Sequence, residues 1–309
     1  MAVEARTDVA AVREDLAAKP VKGRSLWQDA ARRFIRNRAA VFFLGLLALI
    51  VVFTIVGPYF AKFTIEKVDW TILGKVPAKG MPSLENGHFF GVDQTGRDLF
   101  IRVIQGIQIS LTVGVLGSAV AVVVGTLYGS VAGYFGGRLD SAMMRLVDIL
   151  YSIPFMFILI LLLIIFGRSF ALLSMGIGLV SWLGMARVVR GQTLTLKNRE
   201  FVEAAVATGV KPFAIVVRHI VPNLLGIVVV YATLLIPEMI LLESFISFLG
   251  LGIQEPNTSL GALISEGAQT MQYGVLWQLA FPLAFFVVIL FAFFFVGDGL
   301  RDALDPKDR

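Results

Sequence analysis

Residues 189–223 read VRGQTLTLKNREFVEAAVATGVKPFAIVVRHIVPN and join two long apolar runs. A connection this long between spans calls for structure of its own. Phe201, Ala204, Ala205 and Thr208 fall at i, i+3, i+4 and i+7, which is one face of a helix. Gly209 stands where a helix end wants a residue with positive φ. Pro212 suits the first turn of a second helix. Pro222-Asn223 then predicts the end of that helix and a cap for the fifth span. The stretch reads as a short helix, a tight turn and a second helix, all outside the bilayer. The first helix would present Glu200, Glu203, Ala204 and Ala205, small side chains beside carboxylates, as a low knob fit for a groove on a partner. The same pattern also suits a helix lying on the membrane interface.

Outward from this loop, the chain is 57% hydrophobic and 16% charged over 309 residues. A soluble domain runs at roughly 45–50% apolar and about 25% charged. A soluble fold could not hide so much apolar surface, so lipid must cover much of it. Six segments are apolar enough to span, near 39–60, 106–133, 147–166, 170–188, 224–250 and 275–297. Pro237, Glu238 and Glu243 interrupt the fifth, and Pro282 lies in the sixth. This predicts an all-α, polytopic membrane protein. Its parts are a tail over 1–38, a first span over 39–60, an outer loop over 61–105, a five-helix core over 106–297 and a tail over 298–309.

Lys and Arg set the orientation. With the N-terminus inside, the cytoplasmic pieces are 1–38, 134–146, 189–223 and 298–309. Counting Arg187 at the inner end of span four, that side holds 20 of the 27 Lys and Arg. An even number of spans puts both termini in the cytoplasm. No apolar h-region precedes the basic run Lys19, Lys22, Arg24, Arg32, Arg33, Arg36 and Arg38, so the first span reads as an uncleaved anchor. The net charge of +5 flanks apolar spans and forms no patch, which favours a membrane over nucleic acid.

Several chemistries are excluded. With no cysteine there is no disulfide, thiolate metal site or Cys nucleophile. Two histidines, His88 and His219, give no basis for a metal site, and His219 reads as structural. Gly250 and Gly252 lack the third glycine and the βαβ context of a dinucleotide loop. No G-x-x-x-x-G-K-[ST], G-x-S-x-G or H-E-x-x-H occurs. No catalytic residue is expected, and ATP would have to be handled by another chain.

Glu203-Ala204-Ala205, three residues, Gly209 and an apolar stretch ending in Pro222 resemble the "EAA" loop of binding-protein-dependent ABC importer permeases. HFFGVDQTGRDLFIRV over 88–103, GGRLDSAMMRLVDILYSIP over 136–154, ESFISFLGLGIQEP over 243–256 and GDGLRDALDPKDR over 297–309 resemble the peptide/nickel branch. Within it they look most like the C-type permeases that serve oligopeptides. The similarity runs from about Arg24 to the C-terminus. Val92 departs from it, since the family usually has Thr there. The resemblance implies a type I importer permease fold in the bacterial inner membrane. It also implies a docking surface of Glu203, Ala204, Ala205 and Gly209 for a cytoplasmic ATPase. The implied partners are a homologous B-type permease, two ATPase subunits that carry ATP and magnesium, and a periplasmic peptide-binding protein. An ion-coupled secondary transporter is the rival reading, with Glu238 as its support.

Further candidates stand beside plain structural readings. Glu238 is an intramembrane carboxylate fit for a pore or for a contact between helices. Glu243, about 140° round the helix from it, reads as packing near the outer interface. Asp93, Arg97 and Asp98 form a charged turn before span two. That turn would serve docking or gating, or simply helix entry with Asp98 as cap and local ion pairs. Asp140, Arg145 and Asp148 flank span three, with Arg145 and Asp148 spaced as an i, i+3 pair. Gly125, Gly129 and Gly133 would let two helix backbones approach, within one chain or between two.

Overall fold

The computed structural model describes residues 26–304. Lys19, Lys22, Arg24 and residues 305–309 lie outside the described residues. No strand occurs among the described residues, apart from the isolated bridges Val68–Arg97 and Val92–Asp98.

An amphipathic helix, α1 (Leu26–Arg36), precedes the first long apolar helix, α2 (Arg38–Val56). The chain turns between them at Asn37, whose Oδ1 accepts a hydrogen bond from the Ala40 N–H at 3.1 Å. After a long loop comes α3 (Leu99–Phe135), capped at its start by Asp98. This helix begins seven residues before the expected 106. Arg102 falls inside it, its two terminal guanidinium nitrogens paired with Asp93 and Glu266.

The stripe Gly125, Gly129 and Gly133 seats α3 against α6 (Phe170–Leu196). A Cβ on Gly125 would lie 2.6 Å from Met185 Cβ and 2.8 Å from the Trp182 carbonyl oxygen. A Cβ on Gly133 would lie 2.7 Å from Thr193 Cβ. The stripe is thus used within the chain, as close helix packing in lipid requires.

The expected third span is not one straight helix. It is a bent pair, α4 (Gly137–Ser152) and α5 (Phe155–Phe166), meeting at 78°. Pro154 forces Ile153 into the extended region, at φ −84° and ψ 128°, and this ends α4. The 12 residues of α5 reach about 18 Å, short of the ~30 Å hydrocarbon core. Five described helices are long and apolar enough to cross a membrane, or six if the bent pair counts as one span.

Between α6 and the next span sits the short helix α7 (Glu200–Ala207). The expected second loop helix is not separate. It is the first part of α8 (Pro212–Phe248), a continuous 37-residue helix. Pro222 does not end it, because the turn before widens into a π-helix over Val216–Ile220. A wide turn moves the backbone away from the proline ring and suits its missing N–H. The Asn223 Nδ2 donates to the His219 carbonyl at 2.6 Å, satisfying an acceptor there. Pro237 also lies inside α8 without ending it.

The 251–274 segment holds a further helix, α9 (Leu260–Thr270), with Ser259 as its cap. Gly261 lies on the Ser244 backbone and Gly267 on the Gln278–Leu279 backbone, so α9 is wedged between α8 and the last helix. That helix, α10 (Trp277–Leu304), runs past the expected end at 297.

Candidate functional site

α7 is small, and its two faces differ sharply. Val202 and Ala205 point inward onto Ile215, Ile220 and Leu224 of α8 and Met185 and Val189 of α6. Glu200, Phe201, Glu203 and Ala204 are exposed. The sequence expectation that Ala205 shares the exposed face is therefore corrected, since Ala205 is only 6% exposed. The helical period turns it one step past Ala204 and into the seam with α8.

Gly209 ends the helix at φ +79°. The Gly209 N–H donates to the Val206 carbonyl at 3.0 Å and the Val210 N–H to the Ala205 carbonyl at 3.1 Å. This is a Schellman closure, and Val210 completes it by packing on the same apolar cluster. The Thr208 hydroxyl donates to the Ala204 carbonyl at 3.0 Å. α7 is thereby fixed against the start of α8. A groove of about 520 Å³ beside it is lined by Tyr134, Lys197, Val202, Glu203 and Pro212 among others.

The neighbouring α4 is clamped to α6 by two arginines that the sequence reading did not single out. Arg190 grips Asp140 with two nitrogens, its Nη2 at 2.6 Å. Arg187 donates to Asp148 at 2.6 Å and lies over the Tyr151 ring, 4.3 Å from its centroid. Asp148 therefore pairs across helices with Arg187, not along its own helix with Arg145. The spacing of Arg187 and Arg190, one turn apart beside a helix bearing Asp140 and Asp148, was the available signal.

Within α8 the carboxylate expected to pack near the outer interface, Glu243, is instead buried in the bundle. Glu243 is 0% exposed, whereas Glu238 is exposed. Glu243 accepts hydrogen bonds from Ser110 of α3 at 2.9 Å and Ser247 at 2.6 Å. Ser110 in turn accepts from the Leu260 N–H at 3.2 Å. Glu243 thus ties α3, α8 and α9 together, a role its distance from the helix centre did not disclose. Glu238 is exposed on a face of α8 with Leu241 and Phe245, which are exposed as well.

At the opposite end of the bundle, Asp93, Arg97 and Asp98 are brought into one network. Asp93 Oδ1 accepts from the backbone N–H of Thr95 at 2.8 Å and of Arg97 at 2.9 Å. Its Oδ2 accepts from Arg97 Nε at 2.7 Å and also from Arg102 Nη1. Arg102, 1% exposed, makes two bonds to Glu266 of α9 at 2.8 and 3.1 Å. Arg97 Nη2 reaches Glu255 at 2.8 Å. Asp98 caps α3 through the Ile101 N–H at 3.0 Å and meets His88 Nδ1 at 2.7 Å. Trp277 and Gln278 of α10 donate to the Val92 carbonyl at 3.2 and 2.8 Å. The network knits the long loop, α3, α9 and α10 into one cap. The sequence reading singled out neither Arg102, which it left in the outer loop, nor its partner Glu266, 164 positions away.

Burial alone would raise the Asp93 carboxyl, but the Arg102 charge, the Arg97 N–H and the Arg97 charge outweigh it and hold it below the usual range. Such a group stabilises the fold fully above the ordinary aspartate value of about 3.9. That contribution is lost as pH falls through the lowered folded value. Burial pushes Asp98 upward, the opposite sign. Asp93→Asn removes only the first effect. The gap in Tm between wild type and Asp93→Asn is therefore expected to be widest near pH 6 and to narrow below about pH 4. A gap constant across that range, in thermal denaturation of the purified protein, contradicts the assignment.

Comparison with known proteins agrees with this architecture. Residues 125–309 match the family model for a binding-protein-dependent transport system inner membrane component. Residues 25–77 match that for the N-terminal TM domain of oligopeptide transport permease C. The chain is 54% identical over 289 residues to the oligopeptide transport system permease protein OppC of Haemophilus influenzae, covering 94% of this chain and 91% of that one. It is 59% identical over 289 residues to the protein of the same name in Escherichia coli K12, covering 94% of each. The dipeptide transport system permease protein DppC of Bacillus subtilis is 40% identical over 285 residues, covering 92% of this chain and 87% of that one. With its spans, its short set-off helix and these near full-length relatives, the chain is a multi-pass membrane protein belonging to the family of binding-protein-dependent transport system inner membrane components.

Proposed function

We propose that this chain is the C-type permease subunit of an ATP-driven oligopeptide importer. It forms half of a translocation path and works with a homologous B-type permease, two ATPase subunits and a periplasmic peptide-binding protein. The ATP and magnesium sites belong to the ATPases. Identity of 54–59% over nearly the full chain to oligopeptide transport permeases supports the oligopeptide substrate.

The observation that carries the mechanism is the two-faced α7. Glu200, Glu203 and Ala204 form the ATPase-docking surface, Ala205 anchors it, and Gly209 closes it. Docking at the cytoplasmic side agrees with the Lys and Arg bias, and with the bent pair counted as one of six spans both termini share that side. ATP binding draws the two docking helices together, and each moves its permease as a rigid body through α8. The path opens because the ATPases contact the two states differently. Glu238 belongs to the face of α8 turned to the path or to the partner permease, since a mid-span carboxylate does not face lipid. Asp93, Arg97 and Asp98 hold the periplasmic cap, with the Arg97–Glu255 pair at its rim toward the binding protein.

Glu203→Lys reverses the charge on the docking face without touching the apolar anchor. Peptide-stimulated ATPase activity of the transporter in vesicles is expected to fall to the unstimulated rate while the complex remains folded. Unchanged stimulation refutes the docking assignment. Failure of the chain to co-purify with any ATPase subunit refutes the importer reading itself.

A further inference from the structure

Beyond the transport reading, a cavity of about 610 Å³ lies at the α7 end of the bundle, enclosed by α1, α6, α8 and α10. Its lining includes Trp27, Arg33, Gln192, Asn223, Tyr231 and Arg301, with Asp29 as an acidic member. Gln192, Asn223 and Tyr231 offer neutral polar groups between two guanidiniums, and Ile227 and Val230 give an apolar floor.

The placement of α1 says what surrounds this cavity. One end of α1 is pinned to α10, where a Cβ on Gly299 would approach Ala40 Cβ, Asn37 Nδ2 at 3.4 Å and Phe34 Cε2 at 3.5 Å. The other end brings Trp27 to Val188 and Gln192 of α6 and Pro222 of α8. An 11-residue helix of about 16 Å therefore packs on α10 and borders α6 and α8 across the cavity, joined to the membrane-crossing α2 by Asn37 alone. Such a helix lies at the bilayer boundary.

Its exposed surface fits that place. Trp27, Ala31 and Ile35 form an exposed apolar strip at i, i+4 and i+8, with Ile35 70% exposed. Arg32 and Arg36 are exposed beside it, and Arg38 follows. An apolar strip flanked by arginines is the surface of a helix that sits in the headgroup layer of an anionic membrane.

We propose that the cavity between α1, α6, α8 and α10 binds the headgroup of an anionic phospholipid. Arg33 and Arg301 take the phosphate, Gln192, Asn223 and Tyr231 bond its oxygens, and the acyl chains leave along Trp27 and Ile35. The bound lipid secures α1 across the ends of α8 and α10. The site does not depend on which substrate is carried.

The test uses the whole purified transporter. Phosphatidylglycerol and phosphatidylcholine are titrated separately into the detergent-solubilised complex, and bound lipid is counted by native mass spectrometry. Wild type is expected to prefer phosphatidylglycerol. Each arginine near an anionic lipid surface contributes about fivefold in affinity, so Arg33→Gln with Arg301→Gln is expected to weaken phosphatidylglycerol binding about 30-fold. Arg138→Gln, an exposed arginine on α4 remote from the cavity, is expected to leave it unchanged. Absence of a phosphatidylglycerol preference in wild type, or equal binding by the double variant, overturns the proposal. So does displacement of the lipid by a transported peptide, which makes the cavity part of the peptide's route. Should the double variant not assemble, the wild-type complex in nanodiscs decides. A higher Tm with phosphatidylglycerol than with phosphatidylcholine alone supports the site, and equal Tm values overturn it.

Discussion

Gly129→Leu is expected to prevent accumulation of the folded permease in the membrane. A Cβ at Gly129 would already press on the Ala186 carbonyl oxygen and lie 3.0 Å from the Arg190 nitrogen and from Val189 Cβ. Two of these three atoms are backbone, so no rotamer change relieves the clash. A leucine must push α3 and α6 apart along the most extensive helix pairing among the described residues. Overpacking typically costs about 1–3 kcal/mol when side chains can adjust, and rigid backbone on the opposing side places this change at or above the upper end. Separation would also open the Gly125 and Gly133 contacts on either side and shift Arg190 from Asp140. Gly129→Ala is expected to lower Tm in the same direction by less. Gly45→Ala is the control, since nothing lies within 4 Å of a Cβ there and alanine favours the helix. Equal Tm and equal yield for Gly129→Leu and Gly45→Ala disprove the packing account.

Arg102→Met is expected to cost about 1.5–3 kcal/mol, because it removes charge-assisted hydrogen bonds from both Asp93 and Glu266. Asp93 is 4% exposed and keeps Arg97 as a partner, while Glu266 is left with no ion pair among the described residues. The loss should show as release of α9 from α3, read by faster hydrogen exchange over residues 260–270. The cycle that pairs Arg102→Met with Glu266→Gln separates the interaction from the bulk effect of each change. The double variant is expected to be more stable than the sum of the single effects implies, since no unpaired charge remains at Glu266. Strict additivity means that the ion pair contributes nothing.

The spans and the short helix were legible because each depends on residues close in sequence. Twenty apolar residues must be buried in lipid wherever they occur, and a helix of eight residues closed by Gly209 is read from its own period and its own turn. The same locality misplaced Ala205. Period alone puts Ala204 and Ala205 on neighbouring directions, and only the course of α8 decides which of the two is covered. It also misplaced Glu243. A carboxylate near a helix end looks interfacial until Ser110 and the start of α9 are known to surround it. Pro222 and Pro154 show the converse. Both are strong local signals, yet one is absorbed by a π-turn within a continuous helix and the other breaks the chain by 78°.

By itself the sequence determined that this chain lives in a membrane and that a short helix closed by Gly209 stands between the fourth and fifth spans. These follow from hydropathy, charge and turn chemistry, which act over a few residues. The tertiary structure alone decided that Arg102 finds Glu266, that Arg190 finds Asp140, and that α1 packs on α10. Those contacts join residues far apart in the chain, and their partners are set by how whole helices pack, a choice no local pattern encodes.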